Sequence, residues 1–193
     1  MKKILFFPVI ASLLVIYFVM SIFVLPEQFL EKEQLISQPY FEAKLSKSEI
    51  SLGESTSLEI KSKNIGEYGD IHIVSTAFPD IDNTDSIIKI VSYDYLQSPI
   101  FIQKGDEISI NYSSGLEKSV SKYPSIEAMS RPSIPNVPFS MTQLITPQKT
   151  GVFQIYVKSI NIPHVNESSH FPNSGNIDHQ NEFVEKFEIF VNP

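Results

Sequence analysis

The chain has 193 residues, 42% of them apolar and 19% charged, so it holds enough hydrophobic mass for a folded domain and is not a disordered chain. Its 22 acidic residues outweigh 15 basic ones and Arg131 is the sole arginine, which excludes the clustered positive surface of a nucleic-acid binder. Without cysteine it can form no disulfide, thiolate metal site or cysteine nucleophile.

Residues 4–25 (ILFFPVIASLLVIYFVMSIFVL) carry no charge, and as a helix these 22 residues would measure about 33 Å, enough to span a bilayer. Lys2 and Lys3 precede the run, while Glu27, Glu31 and Glu33 follow it. The positive-inside bias therefore predicts a transmembrane signal anchor over 1–25, single-pass in the cell membrane. The N-terminus would be cytoplasmic and the rest of the chain extracytoplasmic. A cleaved signal peptide is the rival reading, though its apolar region would be shorter and end in a small-x-small site, whereas this run is long and its end bulky. Residues 26–39 read as a juxtamembrane stalk that Ser37-Gln38-Pro39 breaks.

From residue 40 to 193 the dominant period is two. Phe41, Ala43 and Leu45 alternate with Glu42 and Lys44, and Leu58 and Ile60 with Glu59 and Lys61. The same rhythm recurs at Ile71-His72-Ile73, Ile88-Lys89-Ile90, Ile108-Ser109-Ile110, residues 153–157 and residues 187–191. Such alternation marks strands with one face in a core and one in water. Turn signals at Gly53, Gly66, Gly105 and Gly151 separate them. The fold expected is mainly β: an antiparallel β-sandwich of the immunoglobulin-like kind after one N-terminal helix. Leu58, Ile60, Ile71, Ile73, Ile108, Ile110, Phe153, Ile155, Val157, Phe187 and Ile189 are its expected core, with His72 on the solvated face.

Two segments break the rhythm. Residues 113–138 are dense in proline and read as a long, partly extended excursion. Residues 160–181 read as a second long loop, one that projects from the sandwich and contacts a partner.

The stretch Ile50-Ser51-Leu52-Gly53-Glu54, its alternating continuation to Ile60, and Asn64-Ile65-Gly66 resemble the opening strands of prokaryotic cell-surface immunoglobulin-like domains of the CARDB type. Thr150-Gly151-Val152-Phe153 resembles their penultimate strand. The resemblance covers some 30 residues, implies an immunoglobulin-like fold at a cell surface, and brings no catalytic residues with it.

No nucleophile elbow, phosphate-binding glycine loop or zinc-protease motif is present, so no catalytic residue is assigned and no enzyme is expected. Asp80-Ile81-Asp82-Asn83-Thr84-Asp85 begins like a calcium loop but lacks its glycine and distal glutamate, and reads as a turn. Three histidines, His164, His170 and His179, share the second long loop with Glu167, Asp178 and Glu182, and imidazoles among carboxylates are ligands for copper or zinc. Asn111 and Asn166 open glycosylation sequons.

The function expected is a non-enzymatic, membrane-anchored binding or structural protein without a cofactor. It would serve as a cell-surface interaction module or an accessory subunit of a membrane complex, its partner another membrane or envelope protein. Ile134, Val137 and Phe171 are the expected contacts. The alternative is a metal-handling domain that holds copper or zinc through His164, His170 and His179.

Overall fold

The computed structural model describes residues 6–20, 36–81, 87–112, 115–163 and 168–193. The chain divides into two units, Met1–Gln34 and Leu35–Pro193.

In the first unit, helix α1 runs over Phe6–Val19, 14 residues. At 1.5 Å per residue it measures about 21 Å, against about 30 Å of hydrocarbon in a bilayer. Among the described residues no helix is long and apolar enough to cross a membrane. This corrects the expected transmembrane anchor, and with it the single-pass cell-membrane location. An uncharged run sets only an upper bound on helix length, and α1 takes 14 of those positions. Residues 4, 5 and 21–25 of the run, and 26–35 of the expected stalk, lie outside the described residues.

The second unit is built of strands: β1 (Pro39–Leu45), β2 (Glu49–Ser51), β3 (Thr56–Asn64), β4 (Ile71–Ala77), β5 (Ile88–Tyr93), β6 (Ile100–Ile102), β7 (Glu107–Tyr112), β8 (Gly115–Val120), β9 (Ser125–Ser130), β10 (Phe139–Ile145), β11 (Gly151–Ile162), β12 (Ser169–Phe171), β13 (Asn176–Ile177) and β14 (Phe183–Asn192). One sheet has the order β1-β3-β10-β5 and the larger one β13-β14-β11-β4-β9-β6, with β12 on β11, β2 on β14, and β7-β8 a separate hairpin. The pairings are antiparallel except β2 with β14.

In chain order, β1, β3, β4, β5, β10, β11 and β14 occupy the places of strands A to G of an immunoglobulin constant-type sandwich. A-B-E-D forms one sheet and G-F-C the other. Strands β6 to β9 are an insertion between D and E that widens the second sheet through β9 and β6 and adds the β7-β8 hairpin.

Alternation drives the packing. Leu58 and Ile60 of β3, with Met141 and Ile145 of β10, face Val74 of β4, Ile126 of β9, Phe153, Ile155 and Val157 of β11 and Ile189 of β14 in one buried cluster. With no disulfide available, the sheets are joined by side-chain packing and by buried side-chain hydrogen bonds between β3 and β4 and between β10 and β4. Further along the same faces the inward residues turn polar: Ser62, Asn64, His72, Ser130, Ser159 and Asn161 are all buried.

The expected core is met at Leu58, Ile60, Phe153, Ile155, Val157 and Ile189, and Ile71 is buried. Strand β4 shows its other face, however. His72, Val74 and Thr76 point inward and are fully buried, while Ile73 is only half-buried. Ile73 stands in a cross-strand row with Ile160 and Met129 on the outer face, where apolar neighbours cover it. Ile108 and Ile110 belong to the separate hairpin rather than the sandwich.

The expected excursion at 113–138 contains β8 and all of β9, an interior strand of the larger sheet. Its prolines flank the ladder at 124 and 132 and leave the donors between them intact. Residues 160–181 likewise hold the end of β11, β12 and β13, so this segment pairs with the sheet instead of projecting as a plain loop.

The sandwich also begins before residue 40. Ser37 is buried, and the Gln38 backbone N–H donates to Asn64 Oδ1 at 3.0 Å. The lead-in passes so near Gly66 that a Cβ there would lie 2.1 Å from the Ile36 carbonyl oxygen. Gly66→Ala should therefore lower stability by about 1–3 kcal/mol, the range for forced overpacking. A thermal melt checks this, and an unchanged melting temperature would mean that residues 36–38 do not dock as described.

Candidate functional site

Two constellations stand out, one sealed in the core and one open to solvent. The sealed one is a hydrogen-bonded chain. Tyr95 OH and Ser62 Oγ are 2.7 Å apart, Ser62 Oγ and His72 Nε2 2.8 Å, and His72 Nδ1 and Asn161 Oδ1 2.6 Å. The Asn161 carbonyl oxygen can only accept, so His72 carries its proton on Nδ1 and Nε2 accepts from Ser62. Tyr95 then donates to Ser62, and every proton along the chain has a direction.

The arrangement copies the Ser–His–Asn order of a hydrolase, and sequence spacing did not reveal it because the three residues come from three strands. Its surroundings forbid that chemistry. Ser62, His72 and Asn161 are 2%, 0% and 0% exposed, so no substrate reaches the hydroxyl. Tyr95 and Phe139 stack beside the imidazole, with ring centroids 6.5 and 6.1 Å away. The chain therefore fixes how the polar end of the core packs. The sequence reading of His72 as a solvated residue is corrected here: its partners lie inside the sandwich.

Burial holds the His72 imidazole below its ordinary value of 6.5, against an upward pull from the Asn161 hydrogen bond. On acidification the unfolded chain binds a proton at this residue before the folded chain does. The stability due to neutral His72 is thus complete above about pH 6.5 and falls as pH drops below it. His72→Gln should flatten that decline in urea titrations at descending pH. A variant with the wild-type slope would assign the decline to other groups.

The open constellation is a cleft of about 400 Å³ on the outer face of the larger sheet. Register explains why it exists. One cross-strand row runs Glu127–Ser75–Lys158, and the next runs Ser125–Ala77–Tyr156. Small Ser75 on β4 thus lies between the long side chains of Glu127 and Lys158, and Ala77 lies between small Ser125 and Tyr156, and the sheet face sinks there. Strands are about 4.8 Å apart, so the Cα atoms of Glu127 and Lys158 stand about 10 Å apart across this floor. Ile108, Ser119, Ser121 and Tyr123, from the β7-β8 hairpin and the segment after it, contribute to the lining, as do residues of the 178–182 turn between β13 and β14.

Asp178 builds that turn. Its Oδ1 accepts the backbone N–H groups of Gln180 at 2.8 Å and Glu182 at 3.1 Å, and Asn181 takes a left-handed φ of 63°. Lys158 ties the turn to the sheet: its Nζ donates to Asp178 Oδ2 at 2.8 Å, to Gln180 Oε1 at 2.9 Å and to Glu182 Oε2. Those three bonds use all three ammonium protons. Burial works against the Lys158 charge, but Glu182 and Asp178 outweigh it and raise the ammonium above its ordinary value. Burial likewise works against the Asp178 carboxylate, and its bonds to Lys158 and the backbone outweigh that and hold it low.

Glu127 differs from its neighbours. Burial raises its carboxyl above the usual range, opposed only by the charge of Lys158. On the facing wall the Tyr123 ring stands edge-to-face with His179 at 5.0 Å and with Tyr156 at 6.4 Å.

The residues singled out from sequence scatter over this framework. His179 lines the cleft, whereas His170 lies beside Ser168 Oγ at 3.1 Å and Glu182 Oε1 at 3.5 Å. His164 and Asn166 fall outside the described residues, and Asn111 sits on β7 opposite Leu116. Among the described residues no group of three histidines and carboxylates is placed to hold a metal ion. Phe171 packs against Tyr40 and Phe41 at 5.1 and 5.3 Å, Val137 packs on the core, and Ile134 is exposed. None of these three lines the cleft. Sequence patterning marked His179 and named Asp178 and Glu182 beside it; Glu127, Lys158, Tyr123 and Tyr156 went unmarked because pairing register alone brings them together.

Strand order and a packed, disulfide-free core define this chain as an immunoglobulin-like β-sandwich. No family model and no curated protein matches it. Among solved structures it is similar to the CARDB domain of a Pyrococcus furiosus protein in complex with di-metal ions, at 12% identity over 82% of this chain and 96% of that one, with a TM-score of 0.39. It is also similar to AvmM, which catalyses macrocyclization in alchivemycin A biosynthesis, at 11% identity over 81% and 89% of the two chains and a TM-score of 0.44. A third, a membrane-anchored protein from Corynebacterium diphtheriae, shares 13% identity over 80% of this chain and 36% of that one, with a TM-score of 0.43. At these scores none of them carries a role across, and the class rests on the strand order itself.

Proposed function

We propose that this chain is a non-enzymatic binding module that recognises another molecule through the cleft on the outer face of its larger sheet. The observation that carries this reading is the cleft's construction: a concave, mixed polar and aromatic surface on a rigid sheet, held open by small residues and braced by Lys158. The Ser–His–Asn chain supports it from the other side, because that group is sealed away from any substrate. The resemblance of residues 50–66 and 150–157 to adhesion-related CARDB-type modules agrees with a recognition role.

The test is site-directed photo-crosslinking in cells. A photoreactive residue at Ser119, in the lining of the cleft, should give a discrete adduct. The same residue at Lys61, exposed on the smaller sheet, should give none. Adducts from Lys61 and not from Ser119 would move recognition to the other sheet and end this reading.

A further inference from the structure

We infer that the cleft takes a primary alkylammonium group, with Glu127 as its counter-ion; this rests on the cleft being the recognition site. Charge within the lining is unequal: it holds Glu127, Asp178 and Glu182 against the one ammonium of Lys158, with Lys122 beside it at Tyr123. Lys158 spends its three donors on Asp178, Gln180 and Glu182, so it has no N–H left for an anionic ligand and its charge is more than neutralised locally. An anion or phosphate would therefore meet carboxylates without a free donor on the lysine.

Glu127 stands at the opposite side of the floor from that network, across Ser75. Among the described residues its carboxylate has no hydrogen bond and no ion pair, and the lysine whose charge it feels is engaged elsewhere. A part-buried carboxylate of this kind gains most from a compact cation that brings both charge and N–H donors. Tyr123 and Tyr156 also line the cleft, and ring faces attract cations. Lys122 Nζ already stands 5.4 Å from the Tyr123 ring centroid, so Glu127 rather than that ring is the anchor for the ammonium. Serine hydroxyls of Ser75, Ser119 and Ser125 line the remaining space and can accept the other ammonium protons. The group that fits is a flexible apolar stem ending in an ammonium, presented either by a lysine side chain of a protein or by a free amine.

The experiment is calorimetric titration of the full chain with four probes: Nα-acetyl-lysine methylamide, its Nε-acetylated analogue, n-butylammonium and glucose. Both ammonium probes should bind and the Nε-acetylated analogue should not. Glu127→Gln, nearly isosteric, should weaken the ammonium probes about tenfold, the loss of one charge-assisted hydrogen bond. An amide spectrum like that of the wild type will show that the variant is folded. Tighter binding of the lysine derivative than of n-butylammonium assigns the source to a protein side chain, and equal binding assigns it to a free amine. Equal binding of the Nε-acetylated analogue, or an unchanged affinity in Glu127→Gln, overturns the ammonium assignment. So does binding of glucose alone, which would leave the cleft standing as a recognition site. Silence from all four probes overturns the ammonium assignment without touching the crosslinking test of the cleft.

Discussion

Phe153→Ala should lower the unfolding free energy by about 3–5 kcal/mol, the range for removing a buried aromatic ring and leaving its cavity. Phe153 is 4% exposed and pairs with Ile189 on β14, inside the cluster that joins the two sheets. No disulfide backs that cluster up, so the loss falls on packing alone and takes a large share of the stability a domain of this size has. In a urea titration the midpoint should drop while the slope stays near the wild-type value, because the surface exposed on unfolding hardly changes. A variant with the wild-type midpoint would place Phe153 outside the core and break the register of β11.

Lys158→Met should be nearly as damaging, for an electrostatic reason. The side chains of Lys158, Asp178 and Glu182 are 13%, 6% and 28% exposed, so removing the lysine strands two poorly hydrated carboxylates. Breaking such a network from one side costs about 3 kcal/mol at neutral pH. The pH dependence separates this from lost packing. In the wild type the Asp178 carboxyl is held low, so its stabilisation is present at neutral pH and drains away as pH falls through the carboxylate range. Lys158 is raised, so its stabilisation is complete below its ordinary value of 10.5 and is lost as pH climbs through the folded value. In Lys158→Met the Asp178 carboxyl loses the partner that holds it low and titrates higher, and protonation relieves it. The gap between wild type and variant should therefore be widest near neutrality and narrow at both extremes; a gap independent of pH would point to packing.

The strands that were legible in the sequence are those whose inward residues are all apolar over several turns of the pleat, such as Phe153-Ile155-Val157 on β11. Strand β4 shows the limit of that signal. Alternation says that His72 and its isoleucine neighbours face opposite ways but not which way is in, and a histidine with hydroxyl and amide partners is content in the core. Strand β9 hid between prolines, and β12 and β13 are too short to show a period. The apolar run at the N-terminus overstated its helix, since hydrophobicity reports an environment rather than a length. The cleft was the least legible feature. Ser75, Glu127, Lys158 and the 178–182 turn come together through strand pairing between distant segments, and nothing local in the sequence encodes that register.

If the outer face of the larger sheet is a recognition surface, a ligand will perturb that face and leave the other sheet alone. The most direct measurement is an amide chemical-shift map of the isotopically labelled full chain, titrated with Nα-acetyl-lysine methylamide. Shifts should be confined to Ser75, Tyr123, Glu127, Lys158 and the 178–182 turn, with β1, β3 and β10 on the other sheet silent. Shifts centred on β1, β3 and β10, with the cleft unmoved, would contradict that reading.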